Sequence, residues 1–252
     1  MVIGMAKATK PGLTKTQSEL LAYLLGSQPH TLSASLAAWV SAFPRYAAFV
    51  EAYKDKIRKK IRVTRERKAV ADLSIELQVP YWLLQEKRFE VAYEPYSAGK
   101  TRGPDYAVTF RSNFTFNIEI TQIRGLHLVP VAARGNETAI DFRLVDVLCG
   151  KLRQLRANMA NLLFIATASI ALSQPDLAAH LAWIREKAER NDPLFYARHR
   201  FLSASDFFKH YERLSGLILY NSATDQQYAL WVNPQARVKL PEQVKAALQG
   251  IR

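Results

Sequence analysis

Cysteine is almost missing from this 252-residue chain: Cys149 stands alone. An intramolecular disulfide is excluded, and a reducing compartment is the natural setting. Long apolar runs are missing too. The longest, Leu162 to Leu172, falls well short of the ~20 residues that cross a bilayer. Met1 to Pro11 is polar and lacks the apolar core of a secretory signal. The expectation is a cytoplasmic protein without membrane spans. The histidines, His30, His127, His180, His199 and His210, show no zinc-ligand spacing. There is no glycine-rich phosphate loop, no internal repeat and no low-complexity linker.

Acidic residues are scarce as well. Asp and Glu number 22 against 35 Lys and Arg, a formal charge of +13. A compact body with that excess repels itself unless a polyanion offsets it. Nucleic acid is the first partner to expect, and an anionic membrane surface comes second. Plain solubility is the bland alternative. The apolar content, 49%, is high enough for a packed core and rules out a disordered tail as the whole story.

The chain opens with helical patterns. Thr16 to Leu25 carries a stripe of leucines and ends at Gly26. Ser33 to Phe43 is a second helix, and Pro44 suits the first turn of a third. That third helix is expected to run on into a basic stretch containing Lys59, Lys60 and Arg62. Opposite charges there are too few for internal pairing, so the stretch reads either as a solvated face or as a phosphate-facing one. Thr64 to Gln78 is a further helix, with Asp72 and Glu76 on one face and Pro80 as its stop.

The period then changes from 3.6 to 2. Phe89–Tyr93, Asp105–Phe110 and Phe114–Ile123 read as three strands, with a turn at Arg111-Ser112-Asn113. A loop carrying Lys100 and Arg102 lies between the first two. A helix from Asn136 to about Arg156 leads to a wholly apolar strand, Leu162 to Thr167. Helices at Asp176–Arg190 and Ser205–Arg213, strands at Leu217–Tyr220 and Tyr228–Val232, and a helix at Val244–Leu248 complete the chain. The order predicts an α/β protein with a mixed central β-sheet flanked by helices.

The chemistry concentrates in Gly103-Pro104-Asp105-Tyr106 and Asn117-Ile118-Glu119-Ile120-Thr121. Alternation puts Thr115, Asn117, Glu119 and Thr121 on one face of the third strand. Pairing it with the second strand can bring Asp105 and Glu119 to a shared polar face. Two close carboxylates need a cation between them, and Mg²⁺ suits a site of few carboxylates plus water and phosphate. The competing reading is an ordinary hairpin whose acids are solvated.

Pro104-Asp105, then a hairpin, then Glu119-Ile120-Thr121 resembles the signature of the PD-(D/E)XK nucleases, the restriction-endonuclease-like superfamily. The resemblance spans roughly Thr64 to Ala168, under half of the chain. It implies a restriction-endonuclease-like core over 64–252 and a helical N-terminal extension over 1–63. It implies a nuclease hydrolysing phosphodiester bonds with Mg²⁺ or Mn²⁺ held by Asp105 and Glu119, in restriction, repair or defence against mobile elements. Glu76 is the residue that matches the further acid of the family's first core helix.

One position departs from the pattern: Thr121 stands where the family has lysine. Lys151 with Gln154 is similar to the arrangement in members that carry the lysine on the following helix. Lys100 or Arg102 could reach in from the loop, whereas Gln122 points to the opposite face of a regular strand. If none of these serves, the module binds nucleic acid or a partner without cutting. The expected partner is nucleic acid, DNA first, contacted by Lys59, Lys60, Arg62, Lys100, Arg102 and Gln154. A homodimer stays open and no membrane is expected.

Overall fold

Strand alternation and apolar helix stripes decide the architecture seen in the computed structural model, which describes residues 13–26, 30–96, 103–124, 142–167, 174–221 and 228–251. The chain divides into two compact units, Met1–Gln85 and Glu86–Arg252. Within the described residues no helix is long and apolar enough to cross a membrane.

The first unit is helical: α1 (Lys15–Leu25), α2 (Ser33–Ala42), α3 (Pro44–Ala52), α4 (Lys54–Val63) and α5 (Arg67–Leu83). Thr14 and Gln17 form a reciprocal capping box at the start of α1, and Gly26, at φ 71, closes it in a conformation that favours glycine. Tyr53 breaks the helix expected to run on into the basic stretch, so α3 and α4 are separate. The Tyr23 hydroxyl donates to Asp55 at 2.6 Å, and the Arg58 guanidinium lies 4.1 Å from the Tyr23 ring centroid. These contacts hold α4 against α1.

Pro80 does not stop α5, which continues to Leu83 with the proline inside it. A proline there costs about 3 kcal/mol of local helix stability, and packing offsets it. Tyr81 lies among the rings of Trp39, Phe43 and Tyr46 at 5.6 to 6.4 Å between centroids. The buried Tyr46 hydroxyl donates to the Leu77 carbonyl at 2.9 Å, and Arg45 Nη1 donates to the Leu84 carbonyl at 2.7 Å. By its contacts α5 belongs with α1–α4, so the second unit begins at Glu86.

The second unit is built on a six-stranded sheet whose strands lie side by side in chain order: β1 (Phe89–Tyr93), β2 (Tyr106–Phe110), β3 (Phe114–Ile123), β4 (Ala160–Thr167), β5 (Gly216–Asn221) and β6 (Tyr228–Val232). β1–β2–β3 is an antiparallel meander, β3–β4 and β4–β5 are parallel, and β5–β6 is antiparallel. The β2–β3 turn needs two residues at positive φ, and Arg111 and Ser112 supply φ 49 and 59. All of β4 is buried, as its unbroken apolar run predicts.

Each parallel pair requires a crossover. α6 (Phe142–Leu152) makes the first; α7 (Gln174–Glu189), α8 (Pro193–His199) and α9 (Ala204–Tyr211) make the second. Both steps move the same way along the sheet, so one handedness puts their helices on one face. There Leu144, Leu148, Leu181, Phe195 and Phe207 form one core with Leu163, Ile165, Leu217 and Leu219 of the sheet. α10 (Glu242–Gln249) ends the fold. Asn136, expected as a helix cap, lies outside the described residues. The helix expected to reach Arg156 ends at Leu152, followed by a tight turn in which Gln154 N donates to the Lys151 carbonyl at 2.9 Å.

Around Arg198-His199-Arg200 the rings are core while Arg198 and Arg200 are exposed. Phe195 and Phe201 are buried, and the His199 ring sits 4.8 Å from Phe195. Arg198 pairs with Asp146 at 2.8 Å. Cys149 is also core, and burial pushes its thiol well above the usual range, away from nucleophilic use.

Burial lowers the His199 imidazole below its ordinary 6.5, and burial likewise lowers His210. As pH falls, the unfolded chain takes up those protons first, so the stabilisation is full above about 6.5 and declines below it. Urea unfolding should show a midpoint that falls between about pH 7.5 and pH 5. The H199N/H210N double variant should show a flatter profile. An unchanged slope would remove the histidines from the acid response.

Candidate active site

The candidate site is built outward from the centre of β3. β2 and β3 pair from Phe110↔Phe114 to Tyr106↔Ile118, so one further step sets Asp105 across from Glu119. Asp105 itself lies just before β2. Pro104 has no N–H to offer the ladder, which helps end the strand there. The Asp105 carboxylate takes over as partner: its Oδ2 accepts from Ile120 N at 2.7 Å. That amide belongs to the residue after Glu119. Asp105 and Glu119 therefore both lie where β2 and β3 stop pairing.

Glu119 is not on a wet face. It is 4% exposed, which replaces the solvated-hairpin reading with a buried carboxylate. Taking such a group out of water costs several kcal/mol unless a charge faces it. Lys151 supplies that charge: its Nζ donates to Glu119 Oε1 at 2.5 Å. Leu144, Leu148 and Lys151 are spaced i, i+4, i+7, so the lysine continues the stripe that α6 turns toward the sheet. Gln154 is 3.5 Å from the same ammonium through its Oε1. Thr121 is half-buried and contributes no cation. The basic group next to the acid is thus delivered by α6.

Glu76 belongs to the helical unit, where its Oε1 accepts from Lys60 Nζ at 2.5 Å. The Lys60 ammonium is engaged in that pair, while Lys59 and Arg62 are exposed on α4. Lys100 and Arg102 lie outside the described residues.

Several neighbours were not singled out in the sequence. Asn117, two residues before Glu119 and hence on the same face, is 1% exposed. Its Oδ1 accepts from the Tyr96 hydroxyl at 3.2 Å, and its Nδ2 donates to Asn161 Oδ1 at 3.1 Å. The Arg156 guanidinium lies 4.1 Å from the Tyr96 ring centroid. Glu94, just after β1, stands opposite Asp105, with its N donating to the Asp105 carbonyl at 2.8 Å. Its φ of 44 is left-handed, a conformation that costs a non-glycine residue about 1–3 kcal/mol. Alternation was the available signal for Asn117; nothing in the sequence announces the strained turn at Glu94.

Asp105 and Glu119 offer carboxylate oxygens as donors. Mg²⁺ and Mn²⁺ take oxygen ligands, and Mg²⁺ commonly uses one or two carboxylates with water completing the shell. Glu119 Oε1 is taken by Lys151, whereas Oε2 has no partner among the described residues. Among those residues no three Asp, Glu, His or Cys side chains converge on one point, which is not the ligand set of a zinc centre.

Removing one partner of the Lys151–Glu119 pair leaves the other charge uncompensated. K151A should cost about 2–3 kcal/mol in urea unfolding, below the 3–5 of fully buried pairs because water reaches the lysine. The E119Q/K151M double variant should recover most of that loss. Equal stability of K151A and the parent chain would mean that the pair contributes nothing.

No family model matches the chain, and neither a curated protein nor a solved structure does.

Proposed function

We propose that the Glu86–Arg252 unit is a divalent-metal-dependent nuclease that hydrolyses phosphodiester bonds in DNA, a divergent member of the restriction-endonuclease-like group. The observation that carries the proposal is the Lys151 ammonium at 2.5 Å from Glu119. It supplies the cation that the Glu119-Ile120-Thr121 motif lacks, next to the acid that needs it.

In this reading Asp105 and Glu119 hold Mg²⁺ or Mn²⁺. When bound, such an ion lowers the pKa of a coordinated water and stabilises charge on the phosphoryl oxygens. Lys151 acts from the other side of Glu119. Its ammonium orients the attacking water or takes up charge building on the phosphate. Gln154 steadies the lysine and offers an amide to the backbone. Ile120 N holds the Asp105 carboxylate in one orientation, so the acid is in place before substrate arrives. The +13 charge of the chain favours a polyanionic substrate and fast capture at low salt.

Plasmid and single-stranded DNA should be cut in Mg²⁺ or Mn²⁺ and left intact in EDTA. D105N, E119Q and K151M should each lower the rate by about 10²–10³-fold, the scale of losing one transition-state partner. Salt-dependent DNA binding without cutting in either metal would instead favour a module that holds nucleic acid.

A further inference from the structure

A second feature of the sheet unit lies beside this site. The turn Ala157-Asn158-Met159, the end of α9 and the segment before α10 enclose a cavity of about 460 Å³. Lys209, Arg213 and Arg237 line it, against one carboxylate, Glu212. Phe208 and Met159 supply an apolar wall. Lys209 and Arg237 are exposed and make no side-chain ion pair among the described residues. Three cations around a cleft that holds one carboxylate leave a net positive site for an anion.

The walls are held by buried amides. Asn161, 1% exposed, donates through Nδ2 to the carbonyls of Arg156, Met159 and Arg213, each at 2.9 Å. One side chain therefore fixes both the 156–159 turn and the Arg213 backbone. Arg213 Nη1 donates to the Leu155 carbonyl at 3.2 Å, which aims the guanidinium. Asn233, also 1% exposed, donates to the carbonyls of Tyr211 and Leu214, and Arg237 N donates to the Glu212 carbonyl at 2.8 Å. Such a preformed cleft binds with little ordering cost.

Met159 of the cavity wall also touches neighbours of the candidate site. Met159 Sδ lies 3.4 Å from the Tyr96 hydroxyl and 3.6 Å from Asn117 Nδ2. Asn117 precedes Glu119 by two residues on the same face of β3.

We infer that this cavity is a subsite for one nucleotide of a nucleic-acid strand. Lys209, Arg213 and Arg237 take its phosphate, and its base rests on Phe208 and Met159. Aromatic and apolar faces serve any base, so the subsite sets position along the strand rather than sequence. The inference rests on the nuclease reading for what happens next door, but the binding it describes stands without cutting.

The test uses the full chain in EDTA and a short fluorescein-labelled single-stranded DNA, followed by anisotropy at several salt concentrations. K209Q/R237Q should weaken binding at least about tenfold at moderate salt. Its log–log salt slope should be shallower by about 0.7, the loss of one phosphate contact on a single strand. F208A should weaken binding with the slope kept. Unaltered affinity and slope in K209Q/R237Q overturn the subsite, even if the parent chain cuts DNA in Mg²⁺. Weakened binding in that variant, with a parent chain that never cuts, keeps the subsite and ends the nuclease reading. Adenosine monophosphate binding as tightly as the oligonucleotide, and lost in K209Q/R237Q, overturns the strand assignment in favour of a free nucleotide.

Discussion

A buried carboxylate at the middle of a sheet must be answered by a charge, and in this protein the answer comes from a helix. The Lys151–Glu119 pair constrains the β3–α6–β4 crossover, because the last turn of α6 must arrive with its lysine facing β3. Apolar packing makes that rotation cheap to hold. Leu144, Leu148 and Leu152 are buried, so the same stripe that seats the helix carries the ammonium to the acid. A buried ion pair is weak as a source of net stability, since desolvation offsets most of the attraction.

The rest of the site is organised by polar groups that replace a regular ladder. Asp105 accepts the Ile120 N–H where β2 has ended, and Asn117 and Asn161 meet across β3 and β4. Each satisfies a buried group that would otherwise be costly. Tyr96 and Met159 then join Asn117 to the turn that lines the basic cavity. An edge where strands stop pairing is a natural place for such a site, because only there can side chains and ligands replace backbone partners.

Much of this architecture was legible in the residues. Alternation over Phe89–Tyr93 and Phe114–Ile123 matches β1 and β3, and the wholly apolar run predicted the buried strand β4. The signals that failed were local rules overridden by packing. Pro80 marks a helix stop by its missing N–H, yet the rings of Trp39, Phe43 and Tyr46 hold Tyr81 and carry α5 onward. Tyr53 carries no breaker signal, and its break appears only once α4 folds against Tyr23. For the site, the backbone placement of Asp105 opposite Glu119 followed from strand alternation and pairing. Lys151 was one of several candidate cations in the sequence, and its contact with Glu119 appears only in three dimensions, while Lys100 and Arg102 lie outside the described residues. Arg213 and Arg237 gave no warning at all, since a cavity joins segments that are distant in the chain.

The account stands or falls on whether Asp105 and Glu119 hold one divalent ion between them. Titration with Mn²⁺, followed by loss of its free-ion electron paramagnetic resonance signal, measures this without any substrate. One saturable site is expected in the parent chain, lost in D105N and in E119Q and kept in T121A. Mn²⁺ uptake that is absent, or that is unchanged by both acid-to-amide substitutions, would contradict it.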